Sequence, residues 1–470
     1  MKKHTRSRSI LVQVIGILVL AVFLLLWQVN RLSSAGVMLL CLLGLSCANY
    51  AIGNRDVLYP AFTFTAIWAA VTAVYIFCPF DIRPIGWKTV GILVGGVASF
   101  SIGCLLGNRR LFRMGNADGT NELLDSRDNP QARLLLLGYT VLTVPIVIFD
   151  IQQIVGEPIS LSPAFFIRLR TTIMYLYFSD PGTSPYGGWL MNRLVTTSFI
   201  ISVLTFLLFV MEEKRKWANL ICASCLIVLS LLFTGRTFLM QAFCGSLCLV
   251  LLRKKNRNFT KIALPIGLAG FGLILLMTAI TLLTKAETQG SNGLQVATNM
   301  TFEYIAGPIA GFDYAVNHPA EFQDQPATVF EGILTPLSRL ELIRYKPPSA
   351  SDDFVFVPFP TNVYTCFKPY YEDFGMAGCF LAFAIFGLIE GGLFHAAVRG
   401  GHIAAFVLAY LSDPLMFSTF DDHYRFIMGY IYLGLYILVY FYLLKRVRIC
   451  MNVSSAAPIA HPHVQESSAR

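Results

Sequence analysis

The sequence has 470 residues, of which 55% are hydrophobic and only 13% are charged, and its mean hydropathy is +0.62. This composition excludes an ordinary water-soluble domain and is typical of a polytopic membrane protein. The net charge of +9 does not indicate nucleic-acid binding, because Lys and Arg are distributed over alternate connections between apolar runs and do not form one basic patch.

A helix needs about 20 apolar residues to cross the hydrocarbon layer. About twelve such runs, with almost no charge inside them, follow one another along the chain, which predicts an all-α, polytopic fold with a single transmembrane domain over residues 1–470. The predicted spans are 9–28, 33–52, 58–78, 87–107, 133–153, 190–211, 218–235, 237–253, 261–283, 374–397, 403–420 and 426–444.

The basic residues predict the orientation of these helices, because cytoplasmic connections carry an excess of Lys and Arg. With the N-terminus in the cytoplasm, the segments MKKHTRSR, EEKRK, RKKNRNFTK and KRVR all fall on the inner side. Both termini are therefore predicted to be cytoplasmic.

Two connections on the predicted outer side are long, namely 156–190 and 284–373. Structureless connections of this length are unusual in compact domains, so each is expected to fold into short helices against the membrane surface and to carry function. The polar tail 449–470, by contrast, has the composition of a disordered cytoplasmic segment.

Arg236 lies alone in the apolar stretch LSLLFTGRTFLMQAFCG, in a tight turn between two predicted helices. No acidic residue lies within four positions of it, and ionisable residues at membrane depth are functional by default. The alternative is a guanidinium that extends to lipid headgroup phosphates. We interpret Arg236 as a residue that binds an anionic substrate group.

The connection 284–373 supplies further polar and aromatic groups, in TFEYIAGPIAGFDYAVNH, PLSRLELIRYKPP and FVPFPTNVYTCFKPYYEDFG. Arg339 and Arg344 offer planar forks that match phosphate oxygens, and the aromatic residues offer flat faces for sugar rings or a polyprenyl chain. A pyrophosphate-linked glycolipid would fit such a site. Ordinary surface ion pairs, such as Lys368 with Glu372, and an interfacial aromatic belt are the alternatives.

The TGRT turn, the EYIAGP segment that opens a large outer connection, and NVYT followed by YEDFG and a glycine-bearing helix occur in a recognisable order between about residues 190 and 400. In these features the chain resembles the Wzy oligosaccharide repeat-unit polymerases of bacterial surface-polysaccharide assembly. The resemblance implies a GT-C-like, metal-independent glycosyltransferase of the bacterial inner membrane with its active site on the periplasmic face.

The implied reaction transfers the growing glycan from undecaprenyl pyrophosphate to the hydroxyl of an incoming lipid-linked repeat unit. Partners would be these glycolipids, membrane lipid and, as a candidate, a chain-length regulator protein. Arg236, with Arg339 or Arg344, would stabilise the departing pyrophosphate electrostatically.

Sugar hydroxyls would meet Tyr304, Asn362 and Tyr364, and Lys368 is a further candidate for substrate binding. His423 and Arg425 of the DDHYR sequence could contribute from the last outer hairpin.

Four groups could act as the general base: Asp373, Glu372, Glu303 and His318. Asp373 could equally cap the helix that follows it, and burial of Glu303 between aromatic neighbours could raise its pKa. No metal site is expected, because consecutive residues such as Asp421, Asp422 and His423 cannot all face one ion from a regular element. No cofactor is implied.

Two other functions remain open from the sequence. An O-antigen ligase would share the lipid donor and the arginine chemistry. A lipid-linked oligosaccharide flippase or secondary transporter would also place charges such as Asp413 and Glu390 inside the membrane, although it would show related halves with broken helices.

Overall fold

The computed structural model describes residues 34–109, 130–160, 162–179, 188–212, 216–232, 237–254, 257, 262, 267, 270, 272, 293–321, 328–345 and 354–443. Within these ranges the protein is helical apart from turns and one hairpin of two-residue strands, β1 (Val355–Phe356) and β2 (Pro360–Thr361), which pair antiparallel. The helices are α1 (Ser34–Ile52), α2 (Pro60–Ile76), α3 (Trp87–Arg109), α4 (Pro130–Val155), α5 (Pro163–Ser179), α6 (Gly188–Glu212), α7 (Lys216–Leu232), α8 (Thr237–Leu252), α9 (Gly293–Asn317), α10 (Glu331–Arg339), α11 (Phe367–Val398), α12 (His402–Phe417) and α13 (Ile427–Ile437).

The apolar runs predicted the positions of the helices well. Ten of the twelve predicted runs, from 33–52 to 426–444, coincide with a helix; of the other two, 9–28 lies outside the described residues and only isolated positions of 261–283 are described. Four of the described helices are long and apolar enough to cross a membrane: Ser34–Ile52, Trp87–Gly107, Gln131–Val155 and Phe367–Val398. This is consistent with an all-α membrane protein, and the twelve-span topology stays a prediction.

The connection 284–373 differs from the short helices expected there, because it contains α9, a helix of 25 residues. Ala306, Ile309 and Phe312 are completely buried in the main hydrophobic core. The helix was missed because Glu303 and Asp313 interrupt its apolar pattern, so that no window along it reads as a span. Its apolar face packs against α2 and α3, which makes it part of the bundle.

Helices α3 and α11 form the closest contact of the bundle, and glycine makes it possible. A Cβ atom added at Gly103 would overlap the carbonyl oxygen of Ala384, and one added at Gly387 would overlap the carbonyl oxygen of Phe100. Gly107 and Gly391 each repeat this contact one turn further along their helix. Small residues at a spacing of four allow membrane helices to approach closely enough for extensive van der Waals packing.

Contacts between connections define one end of the bundle, here called the Asp56 end. Asp56 Oδ2 lies 2.7 Å from Arg257 Nη2, and Arg133 Nε lies 2.6 Å from Glu212 Oε2. Arg253, directly after α8, donates a hydrogen bond to the carbonyl of Val210 near the end of α6. These residues belong to connections and helix ends that the alternation of apolar runs predicts to share one side.

The opposite end, here called the His423 end, contains the connection between α2 and α3 and the connection between α12 and α13. The Gly86 N–H donates to Asp313 Oδ1 at 2.8 Å, which ties the connection between α2 and α3 to the end of α9. The backbone N–H of Cys366 donates to the carbonyl of Ser418 at 2.9 Å, which ties the segment before α11 to the connection between α12 and α13. The candidate site lies beneath this end.

The close α3–α11 contact gives a direct test of the packing. We expect Gly103→Leu to destabilise the protein by about 1–3 kcal/mol or more, because its side chain would collide with backbone of α11 that cannot move aside. Gly44→Leu is the control, since Gly44 is exposed and a Cβ there meets no atom within 4 Å. The detergent-purified variants are compared by thermal unfolding followed by size-exclusion chromatography. The melting temperature should fall for Gly103→Leu and remain that of the wild type for Gly44→Leu. Equal melting temperatures for both variants would contradict this packing.

Candidate functional site

The chain reverses direction at Gly375, inside the segment that forms α11. Gly375 has φ 66° and ψ −166°, a conformation that glycine adopts without a Cβ clash. The Phe367 and Phe383 ring centroids lie 4.2 Å apart, whereas a continuous helix would separate these positions by about 24 Å. Residues 367–374 therefore fold back along the longer part of α11 and enter the bundle. The sequence placed the start of this helix at 374 and missed the reversal.

Lys368 is buried in this short folded-back helix. Its Nζ atom lies 3.2 Å from Glu372 Oε2, one turn along, and 4.4 Å from the centroid of the Tyr364 ring. The alternative of an ordinary surface pair is wrong, since the side chain of Lys368 is only 3% exposed. Burying a charge is costly, so a lysine retained in such a position is a reasonable functional candidate.

Asp373 lies inside the helical segment and does not cap it. Its carboxylate accepts hydrogen bonds from the backbone N–H groups of Thr328, at 3.0 Å, and Val329, at 2.9 Å. The prediction that it could cap its own helix is wrong, because its two carboxylate oxygens accept from N–H groups of another segment, before α10. Asp373 instead holds the segment that leads into α10 against the bundle.

The connection between α12 and α13 penetrates deeply between the helices. The Tyr424 ring stacks on Phe386, with centroids 4.4 Å apart, and its hydroxyl donates to Glu390 Oε1 at 2.7 Å. These partners lie 11 and 15 residues beyond Gly375, which is about 16 and 22 Å along a helix. Residues 418–426 therefore form a re-entrant hairpin, a name used below for this segment.

The re-entrant hairpin carries a buried histidine–aspartate pair. His423 Nδ1 lies 2.7 Å from Asp413 Oδ2 of α12, and the His423 ring stacks on Phe417. Its other ring nitrogen, Nε2, lies 3.9 Å from Asp421 Oδ2. The carboxylate of Asp413 thus orients the imidazole and leaves Nε2 directed towards Asp421.

Asp421, Asp422 and Arg425 complete the cluster. The carboxylate of Asp422 is buried and accepts the Tyr424 N–H at 3.0 Å, whereas Asp421 is partly exposed and lies 4.0 Å from Arg425. Arg425 also attracts the carboxylate of Asp373, as does Lys368 from the folded-back helix. The two segments therefore share one electrostatic environment.

Burial and neighbouring charges shift the pKa values of Asp422 and His423 in the re-entrant hairpin. Burial raises the pKa of the Asp422 carboxyl to about 7, although Arg425 opposes the shift. Burial alone would lower the pKa of the His423 imidazole, but Asp413 and the two neighbouring aspartates raise it above its usual value. The neighbouring carboxylates, Asp413 first among them, thus favour the protonated form of the His423 imidazole.

Such a cluster can stabilise negative charge on a substrate and can exchange protons with it. The three basic side chains each lie beside a carboxylate, namely Lys368 beside Glu372, His423 beside Asp413 and Arg425 beside Asp421, so an anionic group would bind here by replacing one of these carboxylates as the partner of a cation. Asp421, whose side chain is 40% exposed, is the carboxylate that a substrate hydroxyl can reach. Within the described residues, no group of three His, Cys, Asp or Glu side chains has a geometry that could hold a metal ion.

The structure brings together several of the predicted site residues. Tyr364, Lys368, Asp373, His423 and Arg425 belong to the cluster or contact it. The ring of Tyr304 lies 5.5 Å from that of Phe420 in the re-entrant hairpin.

Other predicted residues lie apart from this cluster or cannot be assigned to it. Glu303 and Asn362 are both half-buried, in α9 and beside β2 respectively. Arg344 is exposed and lines a separate surface cavity of about 580 Å³. Arg236 and the side chain of Arg339 lie outside the described residues, so their predicted roles stay predictions.

The sequence did not predict several of the contacts between residues of the charged junction. Asp413 and Glu390 were noted only as charges inside two predicted spans, Asp422 was considered only as a metal ligand, and Tyr370 was not considered. Tyr370 lies near enough to Asp422 for the two side chains to interact electrostatically across the junction. The one available signal was the pair of consecutive aspartates in an otherwise apolar hairpin.

Comparison with known proteins does not place the chain in a family. No family model matches it, and neither a curated protein nor a solved structure matches it significantly. The class that the fold defines is therefore a helical protein with helices suited to a membrane, carrying a buried charged junction at one end of its bundle.

The raised pKa of His423 makes a pH-dependent contribution to stability. A group whose folded pKa exceeds its unfolded value of 6.5 stabilises the protein fully below that value and loses its contribution as pH rises through the folded pKa. We expect His423→Asn to lower the melting temperature most below pH 6.5, with a smaller difference from wild type at alkaline pH. Thermal melts between pH 5.5 and 9 would measure this.

The control is His402→Asn, because His402 is exposed at the start of α12. It should change the melting temperature little at any pH. A His423→Asn deficit that stays constant across the range would contradict the ion pair with Asp413.

Proposed function

We propose that the protein is a polymerase of lipid-linked oligosaccharide repeat units, a metal-independent glycosyltransferase of the Wzy type in the bacterial inner membrane. The observation that carries this proposal is the junction inside an apolar helical bundle where Lys368 of the folded-back helix and Arg425 of the re-entrant hairpin both act on Asp373, with His423 two residues from Arg425. A glycolipid with a pyrophosphate link combines the two features that this junction would accommodate, an apolar chain and a compact negative charge.

The proposed reaction joins two lipid-linked glycans. The hydroxyl oxygen of the incoming repeat unit forms a bond to the anomeric carbon of the growing glycan, while the bond from that carbon to the pyrophosphate oxygen breaks. Undecaprenyl pyrophosphate leaves with the electron pair of that bond, and Arg425, Lys368 and protonated His423 balance its charge. The hydroxyl proton passes to the carboxylate of Asp421.

Arg236 remains part of this proposal as a further pyrophosphate ligand. It is predicted to lie in a turn on the same side as the re-entrant hairpin, since both connect an outward-running helix to an inward-running one. The interaction with a chain-length regulator protein likewise stays a prediction.

We propose that the His423 end faces the periplasm and the Asp56 end the cytoplasm, with both termini cytoplasmic. Leu342→Cys, exposed in the connection before α11, should then react with a membrane-impermeant maleimide in intact cells. Lys254→Cys, exposed at the Asp56 end, should react only after lysis. Labelling relative to the wild type, which contains native cysteines, measures the orientation; the reverse pattern would show that the predicted topology is inverted.

The reaction can be tested in a deletion strain complemented with variants. The deletion should leave single repeat units on the surface lipid, visible as loss of the ladder on a polysaccharide gel. We expect Arg425→Ala and Arg236→Ala to restore little polymer, by analogy with rate losses of about 10²–10³ when one preorganised donor to a developing negative charge is removed. Arg→Lys at either position should restore little more, because lysine lacks the planar fork.

The control for this experiment is Arg399→Ala, an exposed arginine directly after the end of α11 that belongs to no predicted site. The variants must be present in the membrane at wild-type levels. Full ladders from Arg425→Ala and Arg236→Ala would rule out the roles assigned to them, and a full ladder from the deletion strain would rule out the polymerase itself.

A transporter of lipid-linked oligosaccharides is the second candidate, and one structural observation favours it. Glu390 Oε2 and Asp413 Oδ1 are buried and accept no hydrogen bond from any described residue, and helix α11 is interrupted at Gly375. Interrupted helices with buried carboxylates are common at transport sites. Loss of a transporter would trap repeat units on the cytoplasmic side, whereas loss of an O-antigen ligase would leave no repeat unit on the surface lipid.

A further inference from the structure

A second cavity, of about 400 Å³, lies at the His423 end away from the charged junction. Its walls come from the connection 81–86, the end of α9, and the β1–β2 hairpin with the residues between its strands. Its volume falls within the range of small-molecule binding sites. None of the residues assigned to the charged junction lines it.

The walls of this cavity are held by specific contacts. Asp313 Oδ1 accepts the Gly86 N–H at 2.8 Å, and the Tyr75 hydroxyl donates to the Arg83 carbonyl at 2.8 Å. A Cβ atom at position 86 would come within 3.2 Å of Asn317 Nδ2, so glycine lets this connection lie directly on α9. The polar groups are therefore arranged before any ligand binds, which lowers the entropic cost of binding.

The chemistry of the lining matches a sugar better than an anion. Asp81 and Asp313 contribute two carboxylates against the single guanidinium of Arg83, so a phosphate would meet net negative charge. Carboxylates and the Asn317 amide accept hydrogen bonds from neutral hydroxyl groups. Phe356, whose side chain is 72% exposed, supplies an apolar face at the rim.

We infer that this cavity is a binding subsite for a neutral oligosaccharide. The inference rests on the proposed function and extends it, because the subsite would hold sugars of the substrate glycan at a distance from the bond that forms. Tyr304, beside the re-entrant hairpin, and Asp313, in the cavity, lie nine residues apart in α9, which is about 14 Å along the helix. A glycan that extends along α9 would reach from the junction to the cavity.

Binding of a lipid-free oligosaccharide tests this inference separately from catalysis. The probe is the repeat-unit oligosaccharide released by mild acid from the lipid-linked intermediates of the strain, titrated into the full-length protein in nanodiscs by calorimetry. We expect saturable binding that Phe356→Ala and Asp313→Asn each weaken about tenfold, the effect of losing one good contact.

Phe354→Ala is the matched control, because Phe354 is 66% exposed two residues away and does not line the cavity. It should bind the probe like wild type. Each variant must elute as wild type on size-exclusion chromatography.

The subsite is overturned if the wild type shows no saturable binding or if Phe356→Ala binds as well as Phe354→Ala. These results are independent of the gel ladder. Binding that depends on Phe356 in a protein whose deletion leaves the ladder intact would retain the sugar site and reject the polymerase.

Discussion

The reversal of the chain at Gly375 is the constraint on which the charged junction depends. It turns residues 367–374 back into the bundle, where Phe367 contacts Phe383 and the thiol of Cys379 donates to the Phe367 carbonyl. Without it, Lys368 would project beyond the end of α11, about 10 Å from Gly375 along the helix axis. A backbone with φ 66° at this position therefore decides whether a lysine enters the apolar interior at all.

The re-entrant hairpin meets the folded-back helix because α12 and α13 are short. Helix α12 ends at Phe417 and the regular part of α13 begins only at Ile427, so the residues between them remain within the bundle and do not emerge from it. Their charges are tolerated there because each faces an opposite charge or a hydrogen-bond donor: His423 pairs with Asp413, and Asp422 accepts from Tyr424. An irregular backbone at membrane depth is expected only where protein or a cavity surrounds it.

The sequence predicted those features that depend on composition over a whole helix. A run of apolar residues has few alternatives to a helix in lipid, so the described spans agree with the predicted runs. It could not predict the reversal, because one glycine in FGMAGCF resembles the glycines that merely pack between helices. Helix α9 was hidden for a different reason, since its buried face is apolar but Glu303 and Asp313 lower its average hydropathy.

The sequence predicted which cations belong to the candidate site but not which carboxylate each of them would contact. Lys368, His423 and Arg425 stood out as cations beside aromatic residues in predicted outer segments. Which carboxylate each would meet depends on the depth that two short segments reach, and local sequence does not encode that depth. The partnership of His423 with Asp413 and the role of Asp373 as an acceptor for backbone N–H groups therefore required three-dimensional contacts.

The central claim is that the junction of Lys368, His423 and Arg425 binds the pyrophosphate of a lipid-linked glycan. A cryo-electron microscopy structure of the protein in nanodiscs, with a non-hydrolysable undecaprenyl diphosphate glycan analogue bound, would test it most directly. The account predicts diphosphate density within hydrogen-bonding distance of the Arg425 guanidinium, with the re-entrant hairpin still inserted between the helices. A diphosphate bound elsewhere, with Arg425 and Lys368 making contacts only to protein carboxylates, would contradict it.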